Sequence, residues 1–259
     1  MKWRKWILEG WSKYVKYGKE TLKLLAGVIY PERCVVCGRV LPAGEDNSIC
    51  QGCTSKAELV KSPFCMKCGK PLLGDGEFCM DCMKKETSFI CGRAVFVYNK
   101  YMKKSIEGFK YYGRTEYAKF YANKMFEAYG RWIESISPDA LIPVPVHIKR
   151  MMDRGYNQAG IIADILGELT GIQVIHNLLV RRKDTVPQKE LTDRERKDNL
   201  YKAFETVKQT RELYQNVKCV IIIDDIYTTG STIEECSYVL KCAHIESIYF
   251  LCTCIGKGY

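Results

Sequence analysis

A chain of 259 residues, 47% of them apolar, can bury one sizeable α/β core with a small module attached, and is too apolar to be disordered throughout. No stretch has the roughly 18 uninterrupted apolar residues of a spanning helix, and the start, MKWRKWILEGWSKYVKYGKE, is too charged for a signal peptide; a soluble, cytoplasmic protein is expected. The net charge of +10 is concentrated: residues 1–30 carry seven cations against two anions, and residues 91–132 nine against three. Any attraction to phosphate or to an anionic membrane belongs to those two segments, which otherwise read as solvated helical faces.

In chain order, residues 1–30 form a basic aromatic segment, with Trp3, Ile7, Trp11, Tyr14 and Val15 on one side of a helix. That mixture suits a peripheral membrane contact through residues 1–20, single-stranded DNA, or packing on a protein surface.

Residues 31–90 hold four CxxC pairs: Cys34/Cys37, Cys50/Cys53, Cys65/Cys68 and Cys79/Cys82. Twelve residues separate the first two pairs and ten the second two, the spacing of zinc knuckles joined by short hairpins. No histidine precedes His147, so each site is all-cysteine, closed to water and structural. Two structural Zn2+ ions are expected, each able to contribute roughly 10–16 kcal/mol to folding a piece too small for a good core. Sequential ribbons are favoured over interleaved ligands, which spacing alone leaves open; a disulfide scaffold is disfavoured without a signal sequence. Cys91, Cys219, Cys236, Cys242, Cys252 and Cys254 stand in apolar runs and read as buried thiols.

From residue 91 onward strands alternate with helices. RAVFVYN (93–99) alternates as a strand; 115–135 has helical spacing along Tyr117, Phe120, Tyr121, Met125 and Tyr129. DALIPVPVHIK is a strand ending at Pro143–Pro145, and 157–171 a helix capped by Gly171. After a polar basic stretch at 181–199 come the strand CVIIID, a helix from about Thr232 to Ala243 and the strand SIYFLCTCI. Strands apolar on both faces mean a mostly parallel α/β sheet with helices on both sides, whose ligands bind beyond the carboxyl ends of the strands.

At one such end stands VIIIDDIYTTGST (220–232). A glycine-containing loop entering a helix is a phosphate cradle: Thr228, Thr229, Ser231 and Thr232 supply hydroxyls, and Gly230 lets backbone approach closely. Asp224 and Asp225 cannot also bind phosphate and suit hydroxyls or Mg2+, so the ligand is a sugar phosphate. No Walker A sequence and no GxGxxG competes. His147, His176 and His244 stand singly and read as structural, and no base-reading site is evident.

This stretch resembles the phosphoribosyl-pyrophosphate (PRPP) motif of type I phosphoribosyltransferases. With the cysteine pairs, IPVPVHIKRMMDRGYNQA (142–159) and LLVRRKDTVPQKELTDRERKDN (178–199), the chain over roughly 22–256 is similar to the ComF family, including its ComFC-type and GntX-like members. The resemblance implies a double zinc ribbon at 31–90, a phosphoribosyltransferase-like domain at 91–259, and service in DNA uptake during natural transformation at the cytoplasmic side of the membrane.

On that basis Asp224 and Asp225 are expected to take the ribose hydroxyls with Mg2+, and residues 228–232 the 5-phosphate. Lys149, Arg150 and Arg154 are candidates for the pyrophosphate. The 181–199 stretch, with Arg181, Gln188, Arg196 and Asn199, is a candidate lid or nucleic-acid track that matches the family at Thr185/Gln188 and Arg196/Asn199. Two readings follow. One is a DNA-handling module that accepts single strands beside a competence motor ATPase, with Lys103, Lys104, Lys110 and Arg114 as contacts. The other is an active phosphoribosyltransferase of nucleotide salvage or metabolism.

Overall fold

The computed structural model describes residues 32–42, 48–182 and 203–257; the chain divides into two compact units, Met1–Ser55 and Lys56–Tyr259. The N-terminal segment 1–30, and Thr185, Gln188, Arg196 and Asn199, lie outside the described residues. Among the described residues no helix is long and apolar enough to cross a membrane.

The division falls between the two cysteine tetrads, and each unit folds its knuckle alike. In the first, the Cys34 amide donates to the Arg39 carbonyl and the Gly38 amide to the Cys34 carbonyl, both at 2.8 Å. In the second, the Cys65 amide donates to Lys70 and the Gly69 amide to Cys65, again at 2.8 Å, and helix α1 (Met80–Lys84) carries Cys82. The larger unit continues through β1 (Cys91–Val97), α2 (Lys100–Tyr111), α3 (Tyr117–Ile136), β2 (Ala140–Pro143), α4 (Ile148–Arg154), α5 (Gln158–Thr170), β3 (Leu179–Arg181), β4 (Phe204–Thr206), α6 (Lys208–Leu213), β5 (Cys219–Tyr227), α7 (Ser231–Cys242) and β6 (Ser247–Ile255).

The main sheet has the order β1-β6-β5-β2 with every pair parallel, and β3 and β4 form a small antiparallel pair. Val220 to Ile223 of β5 are fully buried, as an apolar run covered on both faces must be. Val220 and Ile222 share a core with Ile233, Cys236 and Leu240 of α7. Ile221 and Ile223, by the twofold repeat of a strand, face the opposite side, where α5 packs on β2 and β5, and α3 on β1 and β6. The mixed α/β sheet flanked by helices is the expected fold.

Three local features differ from what the sequence predicts. The predicted strand CVIIID ends at Asp224, but β5 runs on to Tyr227, because β6 still offers Cys254 and Ile255 as partners to Ile226 and Tyr227. Helix α2 has no predicted counterpart; Met102, Ile106 and Phe109 recur at helical spacing and are buried, and the Asn99 side chain caps the helix by accepting from the Tyr101 and Met102 amides at 3.0 Å. Cys242 is exposed, not buried: it lies six residues beyond buried Cys236, about 240° around the helix. Cys91 and Cys219 are half-buried, while Cys252 and Cys254 are buried as expected.

Candidate functional site

At the carboxyl end of the parallel strands lies a cleft of about 500 Å³. Its walls come from Tyr98 beyond β1, Val144 to Val146 beyond β2, Arg150 and Arg154 of α4, Asp224 to Ile226 of β5, and Thr228 and Thr232 around the start of α7. Lys103 and Lys110 enter from α2 and Arg181 from β3, so five cations line a cleft with two carboxylates. That excess suits a ligand carrying several negative charges.

The carboxylates are not equivalent. Asp225 is buried, and both of its oxygens lie 2.8 Å from the Lys110 ammonium. Asp224 is half-buried and accepts the Asp225 amide at 2.8 Å. Removal from water, and then the neighbouring Asp225 charge, raise the Asp224 pKa to about 7, against the pull of Lys110. Burial, followed by the Arg150 charge, lowers that of Arg181.

The loop into α7 turns at Gly230. Gly230 caps the helix in the left-handed region at φ 79°, and a Cβ there would collide with the Tyr227 ring. Thr229 and Ser231 pair their hydroxyls at 2.9 Å, leaving Thr228 and Thr232 on the cleft wall.

Of the expected residues, Asp224, Asp225, Thr228, Thr232, Arg150, Arg154 and Arg181 come together in this cleft. Lys149 is exposed on the first turn of α4 and does not line it. The nucleic-acid candidates divide: Lys103 and Lys110 line the cleft, Lys104 is exposed, and Arg114 pairs with Glu116 at 3.8 Å. Sequence reasoning does not find the Lys110–Asp225 pair, whose members are 115 residues apart. It also passes over Asn157 and Gln158. Asn157 caps α5 and donates to the Val144 carbonyl at 3.1 Å. Gln158 accepts from Arg154 at 3.2 Å, and its buried Nε2 lies in the cleft wall with no acceptor among the described residues. A polar pair directly after RGY, where α4 ends at a left-handed glycine and α5 has yet to begin, is the signal for both. His147 caps α4 by accepting the Lys149 amide, a structural role as expected.

The eight CxxC cysteines form two sequential tetrads, Cys34/Cys37/Cys50/Cys53 and Cys65/Cys68/Cys79/Cys82, with each set of sulfurs within 4.8 Å. Sulfurs 2.3 Å from a tetrahedral ion stand about 3.8 Å apart. The Cys37–Cys50 and Cys68–Cys79 sulfurs are separated by 3.8 and 3.6 Å. Each tetrad therefore fits one structural zinc ion, and interleaved ligation is excluded.

Residues 25–83 match the family model of a double zinc ribbon domain. The class is thus a double zinc ribbon followed by a parallel α/β domain with a cation-lined cleft. The chain is 30% identical over 219 residues to competence protein F of Haemophilus influenzae, a match covering 83% of this chain and 93% of that protein. It is 27% identical to competence protein ComFC of Bacillus subtilis (73% of this chain, 75% of that one) and 27% identical to DNA utilization protein YhgH of Escherichia coli K12 (86% and 97%). The chain belongs to the ComF family.

Proposed function

We propose that the cleft binds PRPP or a related sugar phosphate with Mg2+, in a protein that handles imported single-stranded DNA during natural transformation. The observation that carries the ligand is the convergence, in one cleft, of Asp224 and Asp225 with the Thr228–Thr232 cradle and the cations of α2, α4 and β3. In this reading the α7 amides and hydroxyls hold the 5-phosphate, and the carboxylates take the ribose hydroxyls and, through water, Mg2+. Arg150, Arg154 and Arg181 face the pyrophosphate. Gln188, Arg196 and Asn199 are proposed as further contacts to the same ligand. The DNA-handling role rests on the names of the relatives, two of them competence proteins and one a DNA utilization protein. The place of action is the cytoplasm.

Exposed Tyr111 and Tyr112 stand at the end of α2, with the Arg154 guanidinium 4.9 Å over the Tyr111 ring; Lys103 and Lys104 lie two turns earlier on the helix, and Arg114 follows in the chain. Stacking faces among cations are the means by which proteins hold single strands without reading sequence.

Calorimetric titration of PRPP with Mg2+ into the zinc-loaded protein tests the site. Binding that Asp224→Asn with Asp225→Asn abolishes, at unchanged zinc content, is the expected result. No binding to the wild type overturns the ligand. Pyrophosphate release on adding a nucleobase would extend the reading to phosphoribosyl transfer.

A further inference from the structure

The second cysteine tetrad and the cradle share one core, and a chain of close contacts joins them. In its knuckle Gly69 is left-handed at φ 79°, and a Cβ there would stand 2.9 Å from the Gly92 carbonyl of β1. The opposite side of Gly92 is filled by the Phe250 ring, which a Cβ at Gly92 would strike. Phe250 stacks face to face on Tyr227, with centroids 4.7 Å apart and planes 4° from parallel. The Tyr227 ring in turn occupies the space beside Gly230. Cys65, Cys68, Cys79, Phe250, Tyr227 and Ile233 all belong to one core.

Two polar links run alongside. Lys70, within the second ribbon, pairs with Asp81 of α1 at 2.8 Å and holds its ammonium 5.9 Å over the Tyr227 ring. Glu234, in the first turn of α7, accepts the Ser88 amide at 3.0 Å and the Ser88 hydroxyl at 2.7 Å, tying the cradle helix to the segment between ribbon and β1. Close-packed interiors transmit displacement because they have no slack to absorb it.

We infer that the second tetrad with its metal is a positioning element of the phosphate cradle, acting through the Gly92–Phe250–Tyr227 stack on the Gly230 turn. Tyr227 is a positioning residue, as it touches the loop and no reacting atom. This inference rests on the proposed ligand only for the consequence for affinity; the mechanical link stands apart from it.

The test reads the cradle directly, by hydrogen exchange of residues 228–234 without ligand, alongside zinc content and PRPP titration. Cys82→Ser, which opens the second tetrad, is expected to speed exchange in 228–234 by about tenfold while Val220–Ile223 stay protected. Tyr227→Leu is expected to loosen the same residues with both zinc ions retained, and Tyr227→Phe, which keeps the stacked ring, to restore them. Cradle exchange unchanged in Tyr227→Leu overturns the inference, even where Cys82→Ser does not fold. Loosening without any PRPP binding to the wild type leaves the link standing and overturns the ligand alone.

Discussion

Asp224 and Asp225 are neighbours in sequence and alternate across the strand, so only Asp225 meets the ammonium of Lys110. Asp224 is left with little compensation for its lost hydration, and its folded pKa of about 7 stands above the ordinary 3.8. A carboxyl raised in this way contributes stability that is present below about pH 4 and lost as pH rises through 7. Asp224→Asn should therefore raise stability at pH 8, by about 1–2 kcal/mol after allowing for partial solvent access, and change it little at pH 4. Ligand contact has the opposite dependence, because hydroxyls and Mg2+ need the ionised form. PRPP affinity is expected to fall about tenfold from pH 8 to pH 6, with about one proton released per binding event at the lower pH. Titration in buffers of different ionisation enthalpy reads that proton, and affinity flat across this range would remove Asp224 from the contact. Lys110→Met would leave Asp225 buried without its cation, at a cost of about 3 kcal/mol in urea unfolding.

At the scale of elements, the site depends on α2 for Lys103 and Lys110, and α2 depends on its ends. Asn99 satisfies two amides of the first turn and donates to the Lys56 carbonyl at 3.0 Å. At the other end the Tyr156 hydroxyl donates to the Phe109 carbonyl, one residue from Lys110. Asn99→Ala is expected to lower stability by about 1–2 kcal/mol in urea unfolding and to weaken PRPP binding, with Asn99→Asp retaining most of both. This helix is legible in the spacing of Met102, Ile106 and Phe109, but its four lysines equally suit a solvated charge run. The β5–loop–α7 unit is largely local: a β-branched run, a glycine turn and an amphipathic helix fall within 24 residues of chain (219–242), and only the last residues of β5 depend on pairing with β6. The tetrads are legible for the same reason, since metal geometry limits the spacing of ligands. The Lys110–Asp225 pair and the Gly69–Gly92–Phe250–Tyr227 packing are not, because they join segments brought together only by sheet order. Register places Gly92 opposite Phe250, and no periodicity within either strand reports that.

At the scale of the whole molecule, the net charge of +10 bears on long-range attraction to polyanions. Its cations do not act alike. Lys110 is neutralised by Asp225 and Arg181 is half-buried, so neither is free to exchange counterions with a passing strand. Lys103 and Lys104 are exposed, and Arg114 is only loosely paired with Glu116. Binding of single-stranded DNA through α2 should then weaken with salt. Lys103→Ala with Lys104→Ala and Arg114→Ala should reduce the slope of log affinity against log salt by about 2, at roughly 0.7 for each phosphate no longer neutralised. Tyr111→Ala with Tyr112→Ala should leave that slope unchanged and lower affinity at every salt concentration, because stacking releases no counterions. Fluorescence anisotropy of a labelled oligothymidine across a salt series separates the two effects. A triple variant with the wild-type slope would move the nucleic-acid surface away from α2, and PRPP titration of Lys104→Ala with Arg114→Ala, which leaves the cleft-lining Lys103 in place, would show whether the cleft is a separate function.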